Sequence, residues 1–111
     1  MDTKRITECA KAAEDIAGML YANNVSDAQQ FIGDTVKNIN NIYLEYINKA
    51  DELRIQNIDV PADVLLLQMN NLMEAIDNKD IIMLADTMLY EIKEGLLFFI
   101  DIEKELGGIR A

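Results

Sequence analysis

Twenty carboxylates and not one histidine bound what this 111-residue chain can do chemically. Its close acidic pairs are Asp77 with Asp80, Glu91 with Glu94, and Glu103 with Glu105. Such pairs hold calcium or divide acid and base roles between them when the frame around them is right. Here it is not. A calcium loop needs an internal Gly and a closing Glu, and the acidic turn at Asp77 has neither. Asp77 and Asp80 flank a turn and read as helix caps, while Glu91 and Glu94 stand either side of Lys93 on a solvated helix side. Without His, sites that rest on it lose an essential group: His-based zinc, Glu-x-x-His di-iron, the phosphorylated His of transfer bundles, and Ser-His-Asp triads.

Cys9, Tyr43 and Tyr46 are the remaining reactive types. Cys9 falls on the apolar side of a helix between Glu8 and Lys11, which predicts a small buried hydrophobe, not a thiolate. Tyr43 and Tyr46 fall on an apolar helix side and are expected as core rings with hydroxyls at the rim. The Gly107-Gly108 pair reads as a helix stop, and no glycine-rich phosphate loop is present. The reading is therefore non-catalytic, with no cofactor and no metal.

Helices must position these groups. Half the residues are apolar, with 27% charged, one Pro and five Gly, which suits a single globular helical domain and leaves little for a loop-rich or all-β fold. The first helix is predicted from Thr3 to Asn23. Its stripe of Ile6, Cys9, Ala10, Ala13, Ile16, Ala17 and Leu20 is small enough for a close neighbour, and Asn23-Asn24 closes it. Ser26 and Gln29 form a capping-box pattern for a second helix running to about Arg54, with Phe31, Ile32, Val36, Ile39, Ile42, Tyr43, Tyr46, Ile47, Ala50 and Leu53 in helical period. The break at 56–61 introduces a third helix, Pro61 to Asp77, with Leu65, Met69, Leu72 and Ile76 inward. A polar turn follows, with Asn78 expected in the left-handed position and Asp80 as the next cap. The fourth helix is predicted from Ile81 to about Leu106, its inner side carrying Ile81, Leu84, Ala85, Met88, Ile92, Phe99, Ile102 and Leu106. Short connections favour antiparallel neighbours, so an all-α, up-down-up-down four-helix bundle is expected over residues 1–111.

The net charge is −10 and the sequence pI about 4.2, which opposes nucleic acid and anionic membrane surfaces and suits solubility or a basic protein partner. No apolar run is long enough to insert in a membrane. The lone Cys and a start without an apolar leader point to a reducing interior, with a cytoplasmic location expected.

Apolar residues outnumber what one core face can use. Met83, Tyr90 and Leu97 recur at seven-residue steps, roughly 140 to 180° from the inward arc of the fourth helix, and Phe98 is a further outlier. Leu66 and Leu67 lie outside the inward stripe of the third helix, and Leu44 outside that of the second. Either packing at helix ends covers these side chains, or Met83, Tyr90, Leu97, Phe98, Leu66 and Leu67 form a partner-binding surface. Its occupant would be a client's amphipathic segment, in the manner of a chaperone or adaptor, or a second copy of the chain.

The stretch Ala75-Ile76-Asp77-Asn78-Lys79-Asp80-Ile81-Ile82-Met83-Leu84-Ala85-Asp86-Thr87-Met88-Leu89-Tyr90-Glu91-Ile92 resembles a pattern, roughly A-L-E-N-K-D-Y-V-L-L-A-D-L-L-E-Y-E-L, of small helical domains in Firmicute-type bacteria. Asn78-Lys79-Asp80, Leu84-Ala85-Asp86 and Tyr90-Glu91 carry the likeness, with Ile where the pattern has Tyr and Val after Asp80. It spans about one sixth of the chain and implies a helix–turn–helix packing unit, in some members beside motility or surface-associated genes. In size, acidity and helix number the chain is also similar to flagellar export chaperones, which implies an adaptor role by architecture alone.

Overall fold

The small-residue stripe of the first segment forms α1, Thr3–Tyr21, and all seven of its expected positions are buried. A computed structural model gives this architecture for residues 3–110, with side chains described for residues 3–107. The reading made at Met1 and Asp2 lies outside the described residues. Because Cys and Ala dominate its inner side, α1 is approached closely by both of its neighbours, the second and fourth rods. Asn23 closes it at φ 64, as its tolerance for the left-handed region requires. The Asn23 N–H donates to the Leu20 carbonyl at 3.1 Å and the Asn24 N–H to that of Met19 at 2.8 Å, a crossed pair that satisfies the helix end.

This tight closure displaces the next start. The second rod, α2, spans Val25–Asn48 behind Asn24 as its cap, with no side-chain capping bond. Ser26 is thereby drawn inside the first turn, so the expected Ser26–Gln29 box does not form. Nor is the rod unbroken to Arg54. Lys49, at φ −92 and ψ 0, separates α2 from the short α3, Ala50–Ile55, whose Ala50 and Leu53 still turn inward. Phe31 leaves the expected inner stripe and is half exposed, whereas Ala28 and Thr35 are buried.

The connection after α3 is an apolar plug as well as a loop. Asn57 takes φ 64, the Ile58 N–H returns to the Leu53 carbonyl at 2.9 Å, and Ile58 and Val60 are buried. The third rod, α4, spans Ala62–Asp77 with Pro61 at its cap. Its exit corrects one expectation: Asn78 stays right-handed at φ −83, and Lys79 takes the left-handed place at φ 52. The helix ends at Asp77 as expected, but the right-handed backbone persists through Asn78, so the left-handed position falls on Lys79. Asp80 then caps the fourth rod as expected, its Oδ1 accepting from the Met83 N–H at 3.0 Å.

The fourth rod comprises α5, Ile81–Asp86, a π-helical turn over Thr87–Ile92, and α6, Lys93–Arg110. Gly107 and Gly108 do not stop it. Glycine weakens a helix by about 1 kcal/mol relative to Ala without removing its hydrogen-bonding groups, and here the helix runs through both. Four antiparallel rods thus form an all-α bundle with extents of 45 × 25 × 19 Å, in which α1 and α4 stand at opposite corners.

Gly18 and Gly33, like Gly107 near the end of α6, have no packing reason to be glycine. A methyl group at Gly18 or Gly33 would meet nothing within 4 Å. Gly18→Ala and Gly33→Ala are each expected to stabilise the chain by about 0.5–1 kcal/mol. A rise in the urea midpoint at constant slope checks this; a fall would show that the backbone there needs glycine.

Candidate functional site

The reactive side chains serve the frame. Cys9 is buried, and desolvation pushes its thiol up to about 11 against a smaller opposing pull from Arg5. Tyr43 and Tyr46 rings are fully buried, and their hydroxyls bridge rods: Tyr43 donates to Gln68 Oε1 at 2.7 Å and Tyr46 to Glu103 Oε2 at 2.8 Å. Tyr21 donates to Asp86 across the α1–α5 contact. Of the acidic pairs, Asp80 is a cap, Glu91 accepts from Asn71 Nδ2 at 2.9 Å, and Glu103 holds Tyr46. Among the described residues, no group of three or more His, Cys, Asp or Glu could hold a metal ion.

These tyrosines make stability alkali-sensitive. Burial first, then the Glu91 charge, raises Tyr43; burial, then the bond to Glu103, raises Tyr46; the bond to Asp86 raises Tyr21 to about 12. A tyrosine with a raised folded pKa contributes fully below its unfolded value near pH 10 and loses that contribution as pH climbs toward the folded value. Unfolding free energy is therefore expected to fall above about pH 10. Tyr46→Phe should flatten that decline, as read from urea midpoints across the pH range; an unchanged slope would contradict it.

The surplus apolar residues do not share one surface. Leu66 is 49% exposed, Leu67 57%, Tyr90 68% and Leu97 38%, whereas Met83 and Phe98 are half-buried against the core. The Asn71–Glu91 bond fixes the antiparallel register between α4 and the fourth rod. Leu67, one turn before Asn71 on the same side, lies toward the fourth rod. Tyr90 and Leu97 follow the outer ridge of the fourth rod, which faces solvent. Leu66 belongs to the opposite flank of α4, toward α2. Met73, seven residues on and also exposed, continues it.

That flank borders the least closely packed contact between neighbouring rods, the seam between α2 and α4. Gly33, Asn40 and Ile47 follow one another at seven-residue steps along α2, and Ala62, Met69 and Ile76 do so along α4. A hollow of about 350 Å³ opens at one end between Gly33 and Ile76, its walls including Leu20, Ile32, Ile81 and Leu84. A second, of about 500 Å³, opens at the other end between Ile47 and Ala62, with Asp51, Arg54 and Asp63 at its rim. Between them the Asn40 Oδ1 is buried with no hydrogen-bond partner, which costs about 1–3 kcal/mol. Leu44, Leu66 and Met73 stand exposed beside this stretch.

Leu44 and Leu66 stand out as surplus in the sequence, but nothing local joins them. The missing signal was the seven-residue partnership of Leu66 with Met73, together with the antiparallel register that sets α2 against α4.

No family model matches the chain, no curated protein matches it, and no solved structure matches it. No described helix is long and apolar enough to cross a membrane.

Proposed function

We propose that this chain is a non-catalytic protein-docking module, chaperone- or adaptor-like, whose partner seats on exposed apolar side chains of the last two rods. One observation carries the reading: Leu66 and Leu67 on α4, and Tyr90 and Leu97 on the fourth rod, stay substantially in water although the core is closed without them. Contiguous exposed apolar surface marks interaction sites, and Leu66 is continued along its flank of α4 by the exposed Met73. The reading is supported too by the reactive groups, since the thiol is buried and the Tyr21, Tyr43 and Tyr46 phenols and several carboxylates are spent on holding rods together. The working environment we assign is a reducing, cytoplasmic one, on the strength of the unpaired Cys9.

A homo-oligomer is the competing occupant of the same residues. The net charge of −10 on each copy opposes it by mutual repulsion, whereas it attracts a cationic partner. Replacing Leu66 or Leu97 by Gln is expected to reduce partner capture while shifting thermal unfolding by less than about 0.5 kcal/mol, because exposed positions carry little folding energy. A loss of stability well beyond that, with capture intact, would make these residues structural. Light scattering at micromolar concentration is expected to give the monomer mass; a dimer mass removed by Leu66→Gln would favour the self-associating alternative.

A further inference from the structure

The docking reading leaves open what the partner looks like, and the α2–α4 seam defines it. Gly33 and Ile47, which border the two hollows, are fourteen residues apart on α2, or about 21 Å at the helical rise. A single helix of four to five turns reaches both. The hollow at Gly33 is walled mainly by aliphatic groups, among them Leu20, Ile32, Ile76, Ile81 and Leu84, with Gln29, Lys79 and Asp80 completing the lining, and suits a large apolar side chain. Gly33 borders it without a side chain of its own and with open space where one would stand.

The hollow at Ala62 differs in kind. Ile47, Ala50, Val60 and Ala62 line it, but Asp51 and Asp63 stand at its rim. Arg54 lies 3.7 Å from Asp51, and Asp63 has no ion-pair partner among the described residues. A long cationic side chain fits there, its stem along the aliphatic wall and its head at Asp63. Between the hollows, Leu44, Leu66 and Met73 offer apolar contact, and α4 carries Asp63, Glu74 and Asp77 without one cation. Lys79 lines the Gly33 hollow and Arg54 the Ala62 hollow, and Lys37 stands one turn after Gly33 on α2.

Resting on the docking reading above, we infer that the α2–α4 seam receives a cationic amphipathic helix of a partner protein, with an apolar anchor at the Gly33 hollow and a Lys or Arg at Asp63. Two synthetic helices of about 18 residues test it, both with one Leu face, one with a Lys/Arg polar face and the other with a Glu polar face. Each is titrated into the full chain and followed by backbone NMR shifts. The cationic helix is expected to perturb Gly33, Asn40, Leu44, Leu66 and Met73 and to bind at least about tenfold more tightly than the Glu helix. Leu66→Gln should weaken it by about tenfold and Asp63→Asn by a smaller factor, while Phe31→Gln, on the flank of α2 that faces α1, leaves it unchanged. Shifts confined to Tyr90 and Leu97, abolished by Leu97→Gln alone, would overturn the seam assignment and leave the docking reading standing. Failure of both helices to bind would overturn both, and equal affinities would overturn the cationic assignment.

Discussion

Phe99→Ala is expected to lower unfolding free energy by about 3–5 kcal/mol, enough to leave a marginal bundle partly unfolded at 25 °C. The ring is fully buried at the centre of the molecule. It stacks on Tyr46, with centroids 4.2 Å apart and planes 3° from parallel, and meets Tyr43 edge-on at 5.2 Å. Removing it empties the volume that both tyrosines lean on. Tyr43 reaches α4 through Gln68, and Tyr46 holds α6 through Glu103, so the loss spreads to three rods. Phe99→Leu retains most of the volume and should cost less than half as much. Urea unfolding of the two variants checks the order; equal and small effects would mean that the aromatic cluster is dispensable.

Gly95→Ala is expected to destabilise as well, although the same exchange at Gly18 or Gly33 should stabilise. A methyl at position 95 would overlap the Tyr43 hydroxyl and come within 2.9 Å of its Cζ. Gly95 is buried where Tyr43 crosses to Gln68, whose Oε1 would lie at 3.1 Å from that methyl. Helix propensity gains about 1 kcal/mol from the substitution, while overpacking typically costs about 1–3 kcal/mol and here also displaces a cross-rod hydrogen bond. A net loss of about 1–2 kcal/mol follows. Adding Tyr43→Phe to Gly95→Ala removes the overlapping hydroxyl, so the double variant should recover part of the loss. A Gly95→Ala chain more stable than its parent would show that Tyr43 moves aside freely.

Much of the fold could be read from periodicity. The Ile6–Leu20 stripe, the Asp80 cap and the four antiparallel rods follow from spacing and capping chemistry, which act over a few residues. What failed to show was set by longer-range or subtler geometry. Ser26 lost its capping role because the Asn23 turn closed tightly enough to start α2 at Val25. The π turn at Thr87–Ile92 and the step at Lys49 break no apolar period, so nothing in the residue pattern marks them. Gly95 gives no local hint of its role either, since its partner Tyr43 lies on another rod.

The candidate site was legible in its parts and not in its assembly. Leu66, Leu67, Tyr90 and Leu97 could be singled out because each departs from an inward arc, and each is exposed. Met83 and Phe98 departed equally from that arc yet lie half-buried against the core, because neighbouring rods shade the flanks of a helix as well as its inner face. The seam between α2 and α4 needed the register of two rods distant in sequence, and Asn40, polar and unremarked, only gained meaning once that register put it between two hollows.

The docking claim is tested most directly by photocrosslinking in the cell that makes the protein, with a benzophenone side chain placed at position 66 of the full chain and, for comparison, at position 90. The expected result is a covalent adduct with a second, different polypeptide from position 66. Crosslinks from position 66 that stay within the chain, with position 90 equally silent, would contradict the account.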